Sequence, residues 1–145
     1  MAGDPPSLVV DASVAVKWLL REDHRPIALL LQDRYVSGEV VLLAPLLLLL
    51  EVGNVLAKRV RRGELQPAVA QSCFAELLAD APVLVESGEI AESAFRLALA
   101  HQQPIYDCLY LALALDRRCD LITADEKFYR SLAPVYGCVR MLQQL

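Results

Sequence analysis

The chain has 145 residues, of which 56% are hydrophobic, with a net charge of −4 at pH 7 and a mean hydropathy of +0.39. This length predicts one domain, residues 1–145, and the apolar content excludes intrinsic disorder. The most apolar run, residues 40–50, contains Pro45 and is shorter than the roughly 20 residues that a membrane span needs. The net negative charge argues against a protein that binds nucleic acid over most of its surface, but not against a local basic patch.

The termini and cysteines give further expectations about the class of protein. Residues 1–8 lack a basic segment, so no signal peptide is expected. The four cysteines, Cys73, Cys108, Cys119 and Cys138, form no C-x-x-C pair, and a zinc site is therefore not predicted. We expect them to be reduced, mostly buried thiols in a cytoplasmic protein without membrane contact. The surplus of apolar residues predicts an exposed apolar patch, and therefore self-association or a bound partner.

Short β-branched runs alternate with longer helical segments along the chain. Strands are predicted at residues 7–13, 39–45, 82–87 and 120–125, and residues 137–142 are a candidate for a last strand. Helices are predicted at residues 14–22, 25–36, 45–62, 67–80, 89–102 and 104–118, with another after residue 125. This alternation predicts an α/β domain with a mostly parallel sheet, whose functional crevice lies at the carboxyl ends of the strands.

Two aspartates follow predicted strands. Asp11 ends the first strand and is a candidate N-cap for the next helix, although Ser13 is an alternative cap that would free it for other work. Asp125 comes just after the fourth strand, where Thr123 and Glu126 have the spacing of a capping box. With Thr123 as the N-cap, Asp125 falls on the first helical turn, where the helix dipole would stabilise it.

Two more carboxylates occur within apolar helices. Glu51 directly follows five leucines, residues 46–50, which we expect to build the core while the glutamate marks the edge of a buried face or faces an anionic pocket. Its predicted helical stripe consists of Leu47, Leu48, Glu51, Asn54, Val55 and Lys58. Asp107 lies in the first turn of an otherwise apolar helix, where the dipole offers a simpler explanation for it.

Taken together, the four acids, Asp11, Glu51, Asp107 and Asp125, predict a metal centre. Four ionised carboxylates repel one another strongly unless protons or a cation neutralise them. Since these candidate ligands are all oxygen atoms, the implied ion is Mg2+ or Mn2+. An ion of this kind suits hydrolysis of a phosphodiester.

The segments "VVDASV", "EVGNVL", "YDCLYLALA" and "LITADEKF", in this order and spacing, resemble the PIN-domain family, and most closely the VapC-type toxin ribonucleases. The resemblance extends from Leu8 to about Tyr129. It implies a three-layer α/β/α fold around a central, mostly parallel sheet of four to five strands. It also implies a Mg2+- or Mn2+-dependent endoribonuclease that acts on RNA, forms a homodimer and is inhibited by a small antitoxin protein.

The same resemblance assigns roles to particular residues. Asp11, Glu51, Asp107 and Asp125 correspond to the four catalytic acids, and Asp11 and Asp107 to the direct metal ligands. Ser13 and Thr123 match the hydroxyl positions that accompany the first and fourth acids, and Asn54 fits the pattern after the glutamate.

Other residues have two open interpretations. The basic stretch at residues 58–62 either stabilises the end of its helix or contacts RNA phosphates, and Arg117 and Arg118 carry the same ambiguity. Trp18 is expected in the core rather than as a base-stacking platform, and Lys17 is a candidate phosphate contact that the sequence does not favour.

Three alternatives to a toxin ribonuclease remain open at this point. A phosphoacceptor receiver domain would need adjacent acids after the first strand, and only Asp11 is present there. A non-catalytic PIN-like binding module would lack one or more of the four acids. The third alternative keeps the chemistry but assigns it to RNA processing without a toxin role, or to DNA cleavage.

Overall fold

The computed structural model describes residues 3–145. The strands are β1 (Ser7–Val10), β2 (Val41–Pro45), β3 (Val83–Val85), β4 (Asp120–Thr123) and β5 (Val139–Met141). The helices are α1 (Ala12–Leu19), α2 (Arg25–Val36), α3 (Leu47–Arg61), α4 (Pro67–Ala79), α5 (Ala91–His101), α6 (Ile105–Arg117) and α7 (Glu126–Leu132). Short 3-10 turns occur at Ser87–Glu89 and Leu142–Gln144.

All five strands form one parallel sheet in the order β3-β2-β1-β4-β5. Parallel crossovers are almost always right-handed, so the direction of each crossover decides which face its helices cover. The crossovers from β1 to β2 and from β2 to β3 run one way, and those from β3 to β4 and from β4 to β5 run the other way. Helices α1–α4 therefore cover one face and α5–α7 the other, which confirms the predicted three-layer α/β/α fold and its parallel sheet.

The core lies between these layers and is built from the central strands and α6. Val9, Val10, Leu121 and Ile122 have no solvent exposure, as expected of strands that are covered on both faces. Every residue of α6 from 108 to 114 is buried, and α6 packs against β1, β2 and β4. The first turn of α6, which carries Asp107, therefore has a fixed position relative to the central strands.

The crossovers change direction between β1 and β4, which are parallel neighbours in the middle of the sheet. In parallel α/β sheets, such a switch point opens a crevice outside the carboxyl ends of the two strands. Asp11 directly follows β1 and Asp125 lies two residues after the end of β4, and both lie at this crevice.

Local patterns predicted most element boundaries within three residues. The bounds of α2 agree with the prediction, and Gly63 ends α3 in a left-handed conformation (φ 73°). The predicted third strand was too long, because residues 87–89 form a 3-10 turn after β3. Helix α1 begins at Ala12, two residues earlier than predicted, because Asp11 is its N-cap.

The leucine run before Glu51 builds the core only in part. Leu48 is fully buried, but Leu46 and Leu50 are 48% and 72% exposed. A run of five helical residues covers more than a full turn of 3.6 residues, so it cannot face inward throughout. Leu47 and Leu49 are partly buried against the core, so the prediction holds for the middle of the run and was wrong for its two ends. Trp18 is buried as predicted and donates from Nε1 to the Ala28 carbonyl oxygen at 2.9 Å.

The cysteines fit the prediction in part. All four thiols are free, with Cys73 and Cys108 buried and Cys119 and Cys138 half-buried. In the part of the chain that the structure describes, none of the helices is long and apolar enough to cross a membrane.

Candidate active site

Asp11 combines a capping role with a place in the crevice. It is the N-cap of α1, and its Oδ1 accepts from the Val14 backbone amide at 3.3 Å. Ser13 Oγ donates to the same oxygen at 2.5 Å, so the alternative in which Ser13 replaces Asp11 as the cap was wrong. A carboxylate has about four acceptor sites on its two oxygens. Capping α1 therefore leaves Asp11 with acceptor capacity for a further ligand.

Ser13 and Thr123 connect the ends of β1 and β4. Ser13 Oγ accepts from the Ala124 backbone amide at 2.8 Å and lies 3.5 Å from Thr123 Oγ1. Thr123 Oγ1 accepts from the Asp125 amide at 3.0 Å. These bonds hold the loop after β4 against the start of α1, so the two aspartates that follow the strands have fixed relative positions.

Asp125 is the N-cap of α7, and its Oδ1 accepts from the Phe128 amide at 3.1 Å. The predicted capping box, with Thr123 as the N-cap, was wrong because Thr123 is the last residue of β4 and its side chain is fully buried. Asp125 itself is exposed. It presents its carboxylate at the rim of the crevice rather than in its interior.

Glu51 is held by Tyr110 from the opposite helical layer. Tyr110 Oη donates to Glu51 Oε1 at 2.6 Å, which links α3 to α6 across 59 residues of chain. Burial and this bond to Glu51 raise the pKa of the Tyr110 hydroxyl far above its ordinary value, so the phenol keeps its proton. Sequence reasoning missed this role for Tyr110, although its position three residues after Asp107 places both on one helical face.

All four predicted acids line one small cavity of about 110 Å³. Its lining residues are Asp11, Ala12, Ser13, Glu51, Asp107, Tyr110 and Asp125. The structure thus brings together side chains from the β1–α1 junction, α3, α6 and the β4–α7 junction. Asp107 enters from the first turn of α6, above the carboxyl ends of β1 and β4.

Three of the carboxylates in this cavity, Asp11, Glu51 and Asp107, are harder to ionise than ordinary acids. Burial raises the pKa of Asp11 to about 6, partly opposed by the Ser13 and Thr123 hydroxyls and the Val14 amide, and Asp125 raises it further. Burial also raises the pKa of Glu51 and of Asp107, with contributions from Asp107 and Asp125 respectively. Each shift therefore combines desolvation with repulsion between neighbouring carboxylates, which a bound cation would relieve.

The donor atoms of the cavity fit a hard divalent cation. Among residues 3–145, none of the four acids forms a salt bridge, so no side-chain cation neutralises them. In the same part of the chain, no three His, Cys, Asp or Glu side chains are placed to hold a metal ion together. Carboxylate oxygens are ligands that Mg2+ prefers, and this ion is usually bound by one or two carboxylates while it keeps several waters.

Among the basic residues at the C-terminal end of α3, some are ion-paired and others are exposed to solvent. Arg59 pairs with Glu22 at 2.9 Å and with Glu64 at 3.5 Å, so its charge is already compensated. Lys58, Arg61 and Arg62 are exposed near the C-terminal end of α3. The two interpretations of the 58–62 stretch therefore both remain.

Comparison with known proteins relates most of the chain to one family. The model of the PIN domain matches residues 8–131. Ribonuclease VapC3 of Pyrobaculum aerophilum is 36% identical over 133 residues, which cover 88% of this chain and 98% of that protein.

Two solved structures have the same fold. PAE2754 of Pyrobaculum aerophilum superimposes with a TM-score of 0.72 and 19% identity, covering 97% of this chain and 93% of that one. VapC20 of Mycobacterium tuberculosis, described as a toxin that cleaves the sarcin–ricin loop, gives a TM-score of 0.64 and 15% identity, covering 86% and 95%.

Proposed function

This chain belongs to the PIN-domain family, and on that premise we infer that it is an endoribonuclease, the toxin of a toxin–antitoxin system. The observation that carries this inference is the single cavity lined by Asp11, Glu51, Asp107 and Asp125 at the switch point of the sheet. A non-catalytic binding module would not need four carboxylates in one cavity, and the pKa values of three of them, Asp11, Glu51 and Asp107, are raised by burial and by a neighbouring acid. The chain is a hydrolase that cuts RNA phosphodiester bonds.

We propose that Asp11 and Asp107 are the residues that hold a divalent cation, Mg2+ or Mn2+. Support comes from their raised pKa values, which reflect burial and a neighbouring carboxylate without a compensating cation. A bound ion of this type supplies Lewis-acid activation of the phosphate and of water at neutral pH. Ser13 and the Val14 amide orient Asp11 through Oδ1.

The other two acids act around this pair in the proposed mechanism. Glu51 is fixed by the Tyr110 hydroxyl, so its free oxygen can orient a water or accept a proton from it. Asp125 lies exposed at the rim, where it adds negative charge close to Asp11. Tyr110 acts as a positioning residue, since its protonated hydroxyl donates to Glu51.

Cleavage assays with two matched variants test this function. The protein is incubated with structured RNA in Mg2+ or Mn2+, or in EDTA, and the ends of the products are mapped. Asp107→Asn should lower the cleavage rate at least about 100-fold, whereas Asp116→Asn, an exposed acid on the same helix, should retain it. Cleavage that persists in EDTA, or in Asp107→Asn, would refute the assignment. Specific cleavage without growth arrest on expression would favour an RNA-processing role.

We further propose the partners and location that this class implies. A small antitoxin protein is expected to cover the acidic crevice, and the chain is expected to form a homodimer through exposed apolar residues. Leu46, Leu50 and Tyr106 are 48%, 72% and 59% exposed and line one cleft of about 440 Å³ between α3 and α6. Four free thiols suit a reducing cytoplasm, where RNA substrates are present.

A further inference from the structure

A second cleft adjoins the four-carboxylate cavity. It has a volume of about 450 Å³, which is within the range of small-molecule sites. Ala12, Ser13 and Glu51 line both spaces, so the cleft opens directly onto the proposed cleavage site. The remaining lining residues are Val16, Lys17, Glu22, Asn54, Val55 and Ala124.

Lys17 gives this cleft a positive charge in an unusual place. The residue is only 8% exposed, although lysine is almost never buried without a partner. Its Nζ donates to Glu22 Oε1 at 3.4 Å, which is a long hydrogen bond. The ammonium makes no other hydrogen bond within residues 3–145. An ammonium has three donors. Lys17 therefore has donors left at the wall of the cleft.

Glu22 is shared between two cations, which weakens its hold on Lys17. Glu22 Oε2 accepts from Arg59 at 2.9 Å, a shorter contact than the one Oε1 makes with Lys17. An anion that enters the cleft can therefore take over the Lys17 ammonium while Arg59 continues to compensate Glu22. The arrangement favours a ligand that carries a negative charge.

The backbone around Lys17 is held in place independently of this ion pair. Arg25 donates to the carbonyl oxygens of Lys17 and Trp18 at 3.0 and 3.2 Å. The Trp18 indole is anchored to Ala28. These contacts fix the last turn of α1, so the Lys17 stem points to the cleft at little entropic cost on binding.

We propose that this cleft is a nucleotide subsite of the ribonuclease, and that Lys17 donates to the RNA phosphate next to the scissile one. This inference rests on the proposed function, because it takes RNA as the substrate. The four carboxylates repel an RNA backbone, and a cation at the adjoining wall offsets that repulsion. The apolar walls of Val16 and Val55 suit a ribose or base, and the exposed Asn54 amide supplies a donor and an acceptor for a base edge.

Binding is measured by fluorescence anisotropy with a labelled single-stranded RNA of mixed sequence. The measurement uses the Asp107→Asn background, in which the RNA stays intact. Lys17→Met, which keeps the apolar stem, should weaken binding about tenfold and lower the slope of log affinity against log salt by about 0.7. The matched control is Arg34→Met, which removes one charge from the end of α2 that leads into β2, at the opposite edge of the sheet. It should change the RNA affinity at any one salt concentration by no more than about twofold, and it should leave the slope unchanged.

Glu22→Gln separates a phosphate contact from a merely structural ion pair. Removal of the competing carboxylate should tighten RNA binding about threefold, because Lys17 is then free for the phosphate. A structural role predicts a less stable protein with unchanged or weaker binding. This variant also tests the proposal if Lys17→Met does not fold.

The outcomes distinguish the subsite from the nuclease. Metal-dependent cleavage by the wild-type protein, with RNA affinity and KM unchanged in Lys17→Met, would overturn the subsite and leave the ribonuclease intact. A wild-type protein that neither binds nor cleaves RNA would overturn both. Weaker binding in Lys17→Met together with tighter binding in Glu22→Gln supports the subsite.

Discussion

At the scale of single residues, Asp11 and Asp125 each serve two purposes. Both cap a helix that starts at the carboxyl edge of the sheet, and both border the cavity proposed for catalysis. An N-cap uses one acceptor site of a carboxylate, so the local and functional explanations do not exclude each other. Asp11 differs from Asp125 because it is more buried and its pKa is raised.

The raised pKa of Asp11 makes the metal-free protein sensitive to pH. A carboxyl whose pKa rises from 3.8 to about 6 on folding favours the folded state when it is protonated. This contribution is complete below pH 3.8 and is lost as the pH rises through about 6. Asp11→Asn, which retains a capping oxygen, should therefore stabilise the metal-free protein at pH 7.5 by on the order of 2 kcal/mol while abolishing cleavage.

Urea unfolding in EDTA at pH 5 and pH 7.5 measures this effect. The difference in the free energy of unfolding between Asp11→Asn and the wild-type protein should be larger at pH 7.5 than at pH 5. A variant that is less stable than the wild-type protein at pH 7.5 would show that the carboxylate is not strained in the fold.

At the scale of elements, the C-terminal end of helix α3 could be predicted from one residue, whereas its buried face could not be predicted from the local sequence. Its C-terminal stop at Gly63 depends on one backbone conformation, a positive φ with the Gly63 amide bonded to the Val60 carbonyl oxygen at 3.0 Å. The inward face of α3, by contrast, consists of Leu48, Val52 and Leu56 and leaves Leu46 and Leu50 outside. Hydrophobicity alone could not select among five consecutive leucines.

Gly63→Ala tests the stop at the end of α3. There is open space around the added Cβ, so the expected loss of about 1 kcal/mol comes from the left-handed backbone alone. Gly88→Ala is a matched control, since its Cβ also meets open space and its φ is not in the left-handed region. It should leave the free energy of unfolding unchanged or raise it slightly. Thermal or urea unfolding of both variants measures the difference, and equal effects would contradict the explanation.

At the scale of the whole molecule, strand order creates the site and also leaves an apolar surface uncovered. The change in crossover direction between β1 and β4 opens the crevice. Helices α3 and α6 bring Glu51 and Asp107 to it from opposite layers. The same two helices leave Leu46, Leu50 and Tyr106 exposed around a cleft. Exposed apolar side chains that line one cleft are typical of a protein–protein interface.

If the homodimer forms through this cleft, Leu50→Glu should shift the protein towards a monomer. Burial of a carboxylate in an apolar interface is costly, so the dissociation constant should rise at least about 100-fold. Leu30→Glu is the control, because Leu30 is similarly exposed (62%) on α2 and does not line this cleft. Sedimentation equilibrium measures both variants. A dimer that persists in Leu50→Glu but not in Leu30→Glu would assign the interface to another face.

The sequence by itself determined the alternation of strands and helices, the ends of most elements and the identity of the four acids. These features depend on residues that are neighbours in the chain: periodicity, helix-breaking glycine and proline, and carboxylates in otherwise apolar segments. The resemblance to a family added the role that is expected of each acid.

Only the tertiary structure decided which side chains touch. Tyr110 reaches Glu51 from 59 positions away, and Lys17, Glu22 and Arg59 meet from α1, the loop after it and α3. The tertiary structure also decided that Asp125 rather than Thr123 caps α7. Thr123 is buried, and its hydroxyl lies beside Ser13 where the ends of β1 and β4 meet. Such contacts depend on strand order and helix packing, which bring together distant residues whose local sequence is compatible with several arrangements.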